Sequence, residues 1–158
     1  MAKIAATLPR IAGVSTPKYP IDPGALTCSG LVTDSGGKIT YTTATINSQS
    51  FFTGISQGGA GEVIGGDTTI NIGASGSGGG IVSNNLVRIN GTLNVLGSGS
   101  SSVHGLSIRD DGQIHVGANS KIQGVGGIGV NISGNNATPL MAGNDLQIDY
   151  TGTNSTRF

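Results

Sequence analysis

The feature that most constrains this chain is a short strand-like segment that recurs along its second half. Each copy places one polar residue between two aliphatic residues and reaches a glycine within a few positions. Because side chains alternate between the two sides of a strand, each copy sends two aliphatic side chains inward and one polar side chain outward. Two inward side chains cannot form a core alone, so the copies must stack on one another. The five outward residues are Asn71, Asn94, His115, Asn131 and Gln147.

This pattern predicts an all-β fold in which the chain winds into a parallel β-solenoid, or β-helix. The outward residues are 23, 21, 16 and 16 positions apart, which predicts coils of about 20 residues. The 29 glycines supply sharp corners without a helix. The alternative is an antiparallel sandwich or barrel. Its strands are usually longer, and its core uses more aromatic side chains than the 4% present here.

The first part of the chain has a different composition. Four of the five prolines in the chain lie near its start and predict an irregular leader. They are Pro9, Pro17, Pro20 and Pro23. A threonine-rich segment at 39–46 predicts a strand, and Phe51 and Phe52 follow it. Large apolar residues ahead of a repeat suit a cap that closes the end of the core. We therefore predict a leader and cap over residues 1–60 and solenoid coils over residues 61–158.

Charge and cysteine content exclude several functional classes. Eight Lys and Arg balance eight Asp and Glu without a basic cluster, so we expect no nucleic-acid partner. No apolar run approaches the roughly 20 residues of a membrane span. Cys28 is the single cysteine and the two histidines are distant from it, so we expect a small buried thiol, with no disulfide, metal or cofactor.

Two motifs resemble catalytic or nucleotide-binding signatures. Residues 124–129 match GxGxxG, but a strand pattern follows at 130–132, where dinucleotide binding requires a helix. Asp110 and Asp111 are adjacent, so their side chains diverge in an extended chain, and Asp111 followed by Gly112 predicts a turn. We predict no catalytic residue. We expect the five outward residues to be solvent-facing ladder residues, with ligand binding as the second possibility.

Two stretches of the chain, 105–118 and 129–134, alternate glycine turns with short aliphatic strands. They resemble passenger domains of bacterial autotransporters of the pertactin-like type, and Leu26 to Gly30 is similar to the start of some mature passengers. The resemblance implies a right-handed parallel β-helix displayed outside the cell as an adhesin or autoaggregation factor. Its partners would be another copy or a cell-surface glycan or protein.

Two other functional classes use the same fold. The apolar patch at 4–8 is too short for a signal peptide, which departs from the passenger family. This favours a phage tail fibre or tailspike, located in the virion, as the alternative. A polysaccharide-cleaving β-helix enzyme needs clustered carboxylates. With eight acidic residues in the whole chain, we do not expect one.

Overall fold

The computed structural model of the chain describes residues 24–33, 36–48, 53–73, 79–97, 104–135 and 138–150. Residues 1–23 of the predicted leader lie outside this range, as do Phe51 and Phe52 of the predicted cap. Every regular element in the described ranges is a β-strand. This agrees with the absence of any helical period in the sequence.

Fourteen strands form the described part of the fold. In chain order they are β1 (Ala25–Cys28), β2 (Leu31–Thr33), β3 (Lys38–Ser48), β4 (Ile55–Gln57), β5 (Glu62–Ile72), β6 (Gly79–Ser83), β7 (Leu86–Ile89), β8 (Leu93–Leu96), β9 (His104–Ile108), β10 (Gln113–Val116), β11 (Lys121–Val125), β12 (Val130–Ile132), β13 (Leu140–Ala142) and β14 (Gln147–Tyr150). The predicted threonine-rich strand is confirmed as part of β3.

All the paired strands run parallel, and they stack as a β-solenoid of about four turns. The coils have three faces. Face 1 consists of β2, β4, β6, β9 and β12. Face 2 consists of the first halves of β3 and β5, followed by β7, β10 and β13. Face 3 consists of β1, the second halves of β3 and β5, and then β8, β11 and β14. The predicted solenoid is therefore confirmed, and the antiparallel sandwich is excluded.

The coil is longer than the spacing of the outward residues predicts. Register partners in neighbouring coils are 24 positions apart for Leu31 and Ile55, and 27 positions apart for Val87 and Ile114. The prediction of about 20 residues is wrong because the five segments do not occupy equivalent positions. They lie on three different faces and at different positions within a strand, so all four distances between them are shorter than one coil.

The core consists of aliphatic ladders along the solenoid axis. On face 3 one ladder joins, in register, Cys28, Ile46, Ile70, Val95, Ile122 and Ile148. The four central members of this ladder are fully buried. Each buried aliphatic side chain contributes about 1.5–3 kcal/mol by leaving water. The contribution depends on neighbouring coils, since one layer alone would leave its side chains exposed above and below.

A column of glycines begins face 1 in every coil. Its members are Gly30, Gly54, Gly80, Gly105 and Gly129, and each immediately precedes an inward aliphatic residue. A Cβ on Gly80 would lie 2.5 Å from the carbonyl oxygen of Gly105 and 2.7 Å from Cγ1 of Val95. Glycine is required here because the corner backbone packs directly against the inward side chains of face 3.

The sheets begin ahead of residue 61. Strands β1 to β4 lie within residues 1–60, and β3 pairs with β5 along most of its length. Residues 25–57 therefore contribute strands to the same ladders as the later coils.

Candidate binding face

The outward side of face 3 carries two polar columns. The first, called here the threonine column, joins in register Thr27, Thr45, Thr69, Asn94, Lys121 and Gln147. The second, the asparagine column, joins in register Asn47, Asn71, Leu96 and Gln123. None of these side chains is buried. Together they form a polar strip on the surface of the solenoid.

Strand geometry determines the spacing of this strip. Neighbouring strands in a sheet lie about 4.8 Å apart, so six of them place the ends of the threonine column about 24 Å apart. Alternate residues of one strand are about 6.6 Å apart, which sets the distance between the columns. Within the asparagine column, Nδ2 of Asn71 donates a hydrogen bond to Oδ1 of Asn47 over 2.9 Å. The strip is thus a regular array made mostly of hydroxyl and amide groups, with Leu96 and Lys121 as its exceptions.

The charge of the polar strip is low. Lys121 is the one charged residue of the threonine column and is exposed, and Asp149, which is in register with Gln123, adds a residue of opposite charge at the end of the asparagine column. Asp67 lies beside the strip, in register with Thr43, and its Oδ1 accepts a hydrogen bond of 2.9 Å from the backbone amide of Thr92. This carboxylate therefore anchors the neighbouring coil. A surface of this kind suits a polar ligand without a high charge.

The five outward residues predicted from the sequence do not form one column. Asn94 and Gln147 both belong to the threonine column, with Lys121 between them, and Asn71 belongs to the asparagine column. His115 lies on face 2 and Asn131 on face 1. The structure brings three of the five to the polar strip and places the other two on separate sides of the solenoid.

Sequence reasoning missed the first members of the threonine column. Thr27 and Thr45 precede the predicted solenoid coils, Thr69 lies just before the first repeated segment, and the sequence predicts a cap, not a coil, around Thr45. A signal was available, because Thr43, Thr45 and Asn47 alternate with the inward residues of β3.

His115 has an unusual environment for an outward residue. It is in register with Arg88 on one side and Met141 on the other. Its Nε2 atom is buried and has no hydrogen-bond partner among the described residues. Burial, and then the positive charge of Arg88, lower the pKa of this imidazole. His115 is therefore held more strongly in its neutral form than an exposed histidine.

A buried amide fixes the corner that follows β4. Gln57 is 1% exposed, and its Nε2 donates to the carbonyl oxygens of Gly58 and Gly61 over 3.0 and 2.8 Å. Its Oε1 accepts from the backbone amides of Asn84, over 2.9 Å, and Asn85. One side chain thus satisfies backbone groups in two successive coils, which indicates a structural role.

The other residues that the sequence suggests for chemistry are Cys28, Asp110 and the GxGxxG segment, and the structure does not bring them together in one site. Cys28 is buried as predicted, and burial raises the pKa of its thiol. Asp110 lies in a turn with a φ of 51°. The GxGxxG segment at 124–129 is followed by strand β12, where dinucleotide binding requires a helix. In the described ranges, no three His, Cys, Asp or Glu residues converge to hold a metal ion. The same ranges contain no helix of the length and hydropathy that crossing a bilayer requires.

Comparison with protein families, curated proteins and solved structures finds no match to this chain.

Proposed function

We propose that this protein is a non-enzymatic β-helical scaffold that acts outside the cell as an adhesin or autoaggregation-type display protein. Its polar strip would contact a cell-surface glycan. The observation that carries the proposal is the register of the threonine column, which spans six successive strands and presents a hydroxyl or an amide on five of them and the ammonium group of Lys121 on the other.

Glycans match the chemistry of this strip. Sugar hydroxyls both donate and accept hydrogen bonds, and so do threonine hydroxyls and the amides of asparagine and glutamine. Each neutral hydrogen bond contributes only about 0.5–1.5 kcal/mol, so useful affinity requires several of them along one ligand. A column about 24 Å long provides several positions for one extended chain.

The test is binding of the full chain to a panel of neutral and acidic polysaccharides, measured by surface plasmon resonance. The variant replaces three neighbours in the threonine column, Thr69→Ala, Asn94→Ala and Lys121→Ala. Three lost hydrogen bonds should weaken binding about tenfold or more.

The control removes the same chemical groups from the other faces. Ser56→Ala, Asn131→Ala and Arg109→Ala delete a hydroxyl, an amide and a cation that are outside the polar strip. The control should bind as the wild type does. Equal loss in both variants would contradict the proposed site, and release of shortened sugars during the assay would contradict the non-enzymatic function.

A further inference from the structure

The outer side of face 2 carries two basic side chains in neighbouring coils. Arg88 of β7 and His115 of β10 are in register, so their backbones lie about 4.8 Å apart. Both side chains point away from the core, because the residues on either side of each one in its strand are buried. Arg88 is exposed and His115 is half-buried. These two residues, called here the basic pair, lie on a different side of the solenoid from the polar strip.

The charge of Arg88 is not neutralised within the described ranges, where no carboxylate forms an ion pair with it. On the neighbouring strand β5, Glu62 points to the same side of the sheet. However, its Oε2 is 3.2 Å from Nζ of Lys38, which lies in the coil before, on the side away from Arg88. The guanidinium group is therefore available to an external anion.

The surroundings of His115 also lack an acidic group. Among the described residues of the adjacent strands, β7 places Arg88 beside it, and β13, with the sequence LMA, places Met141 there. Nε2 of His115 is buried and has no hydrogen-bond partner. Burial, and then the positive charge of Arg88, lower the pKa of this imidazole. The side chain is thus a polar group that an anion would stabilise in its protonated form.

The residues around the basic pair suit a sugar ring. Ile64 and Met141 continue its column in register, one on each side, and Met141 is 52% exposed. Aliphatic side chains of this kind can pack against the C–H groups of a sugar. Asn90 and Gln113 lie two positions along the chain from members of the pair, and neither is buried. Their amides can donate hydrogen bonds to sugar hydroxyls and accept hydrogen bonds from them.

We propose that the basic pair binds the carboxylate of an acidic sugar. The guanidinium group of Arg88 presents two parallel N–H donors, which match the two oxygens of a carboxylate. One permanent positive charge suits a group with a single negative charge better than a doubly charged phosphate. The side chains in register on either side of His115 are long and flexible, so they can turn aside and let the ligand reach its ring. The inference rests on the proposed function in taking a glycan as the ligand, and it adds a second contact on face 2.

The test is the pKa of His115 in the full chain, measured by NMR of the histidine rings while sodium glucuronate is added at constant ionic strength. A bound carboxylate stabilises the imidazolium form, so this pKa should rise by about 1. Glucose, which has a similar ring without the carboxylate, should cause no change, and acetate at the same concentration should cause a smaller rise. The ring of His104 lies on face 1 and serves as the internal reference, because its resonances should not respond.

The variant Arg88→Gln should abolish the response to glucuronate. It removes the cation beside His115, so the pKa of His115 without ligand should be higher than in the wild type. Glucuronate should then raise it no further. The control, Arg109→Gln, makes the same change at an exposed arginine that follows β9 of face 1, and it should respond as the wild type does.

Two results would overturn the site on face 2. They are an unchanged pKa of His115 at every glucuronate concentration, and an equal rise with acetate. The proposed function would still stand in that case if the variant with Thr69→Ala, Asn94→Ala and Lys121→Ala lost its binding to polysaccharide. Conversely, a rise in the pKa of His115 together with undiminished polysaccharide binding by that variant would overturn the polar strip and retain the site on face 2.

Discussion

Tyr41 shows how one residue relies on the coil above it. Its ring lies over Gly65, its register partner, where a Cβ would collide with the ring carbon Cε2. Its hydroxyl is 3.0 Å from Oγ1 of Thr68, and Thr68 donates to the carbonyl oxygen of Gly66 over 3.0 Å. The phenol is thus a buried, hydrogen-bonded group between two coils. Burial raises its pKa to about 12.

This pKa predicts an alkaline limit to stability. An unfolded tyrosine ionises near pH 10, so the contribution of Tyr41 to the free energy of unfolding should be constant below pH 10 and should fall as the pH rises towards 12. The loss due to Tyr41 is about 2 kcal/mol, because the phenolate must form in a buried site. The Tyr41→Phe variant should have a free energy of unfolding about 1 kcal/mol lower at neutral pH, because it loses the hydrogen bond to Thr68. Urea unfolding of both proteins at several pH values measures the difference. Parallel pH profiles for the two proteins would show that Tyr41 does not cause the loss.

At the scale of the elements, the glycine column controls how closely face 1 approaches face 3. A Cβ on Gly105 would lie 2.5 Å from the carbonyl oxygen of Gly129 and 2.5 Å from Cγ2 of Ile122. Neither atom belongs to the end of a long, flexible side chain, so the strand itself would have to move. The column therefore fixes the width of the core, and the adjoining aliphatic ladders are packed to that width.

Gly80→Ala should consequently destabilise the protein by about 1–3 kcal/mol, the usual cost of overpacking a core. The matched control is Gly58→Ala, because a Cβ there would meet its nearest atom, the carbonyl oxygen of Thr33, at 3.5 Å. The control should change stability by less than about 0.5 kcal/mol. Urea denaturation of the three proteins gives these values. If the two variants were equally stable, close packing of the corner would not explain the glycines.

At the scale of the whole molecule, stability belongs to stacked layers rather than to single coils. Ile70 and Ile148 occupy the same face 3 ladder, but Ile70 is fully buried and Ile148 is 39% exposed. A repeat protein gains its stability from contacts between neighbouring units. A fully buried layer therefore contributes more than a layer whose side chains are partly exposed.

Ile70→Ala should cost about 2–5 kcal/mol, the usual effect of truncating a fully buried isoleucine. Ile148→Ala removes the same atoms and should cost less than about 2 kcal/mol, since part of its surface is already in water. Thermal and urea unfolding should be compared at a concentration where light scattering shows a monomer. Equal costs at the two positions would mean that the last coil is covered within a single chain.

The sequence alone determined the class of fold and the local direction of many side chains. Short apolar-polar-apolar segments that end in glycine can bury their aliphatic residues only by stacking, and β3, β8 and β10 alternate as that argument predicts. It did not determine which segments lie on the same face. Alternation tells inward from outward within one strand, but all three faces of a coil satisfy it equally well.

Only the tertiary structure decided the register, and with it the coil length and the composition of the polar strip. Backbone hydrogen bonds between coils align Thr45, Thr69 and Asn94, although they come from segments with different local patterns. The glycine-aliphatic pair that opens face 1 recurs every 24 to 26 residues and carries this period in the sequence. Its meaning is not local, because Gly54, Gly80 and Gly105 are each required by a backbone oxygen of the next coil and by a side chain of face 3.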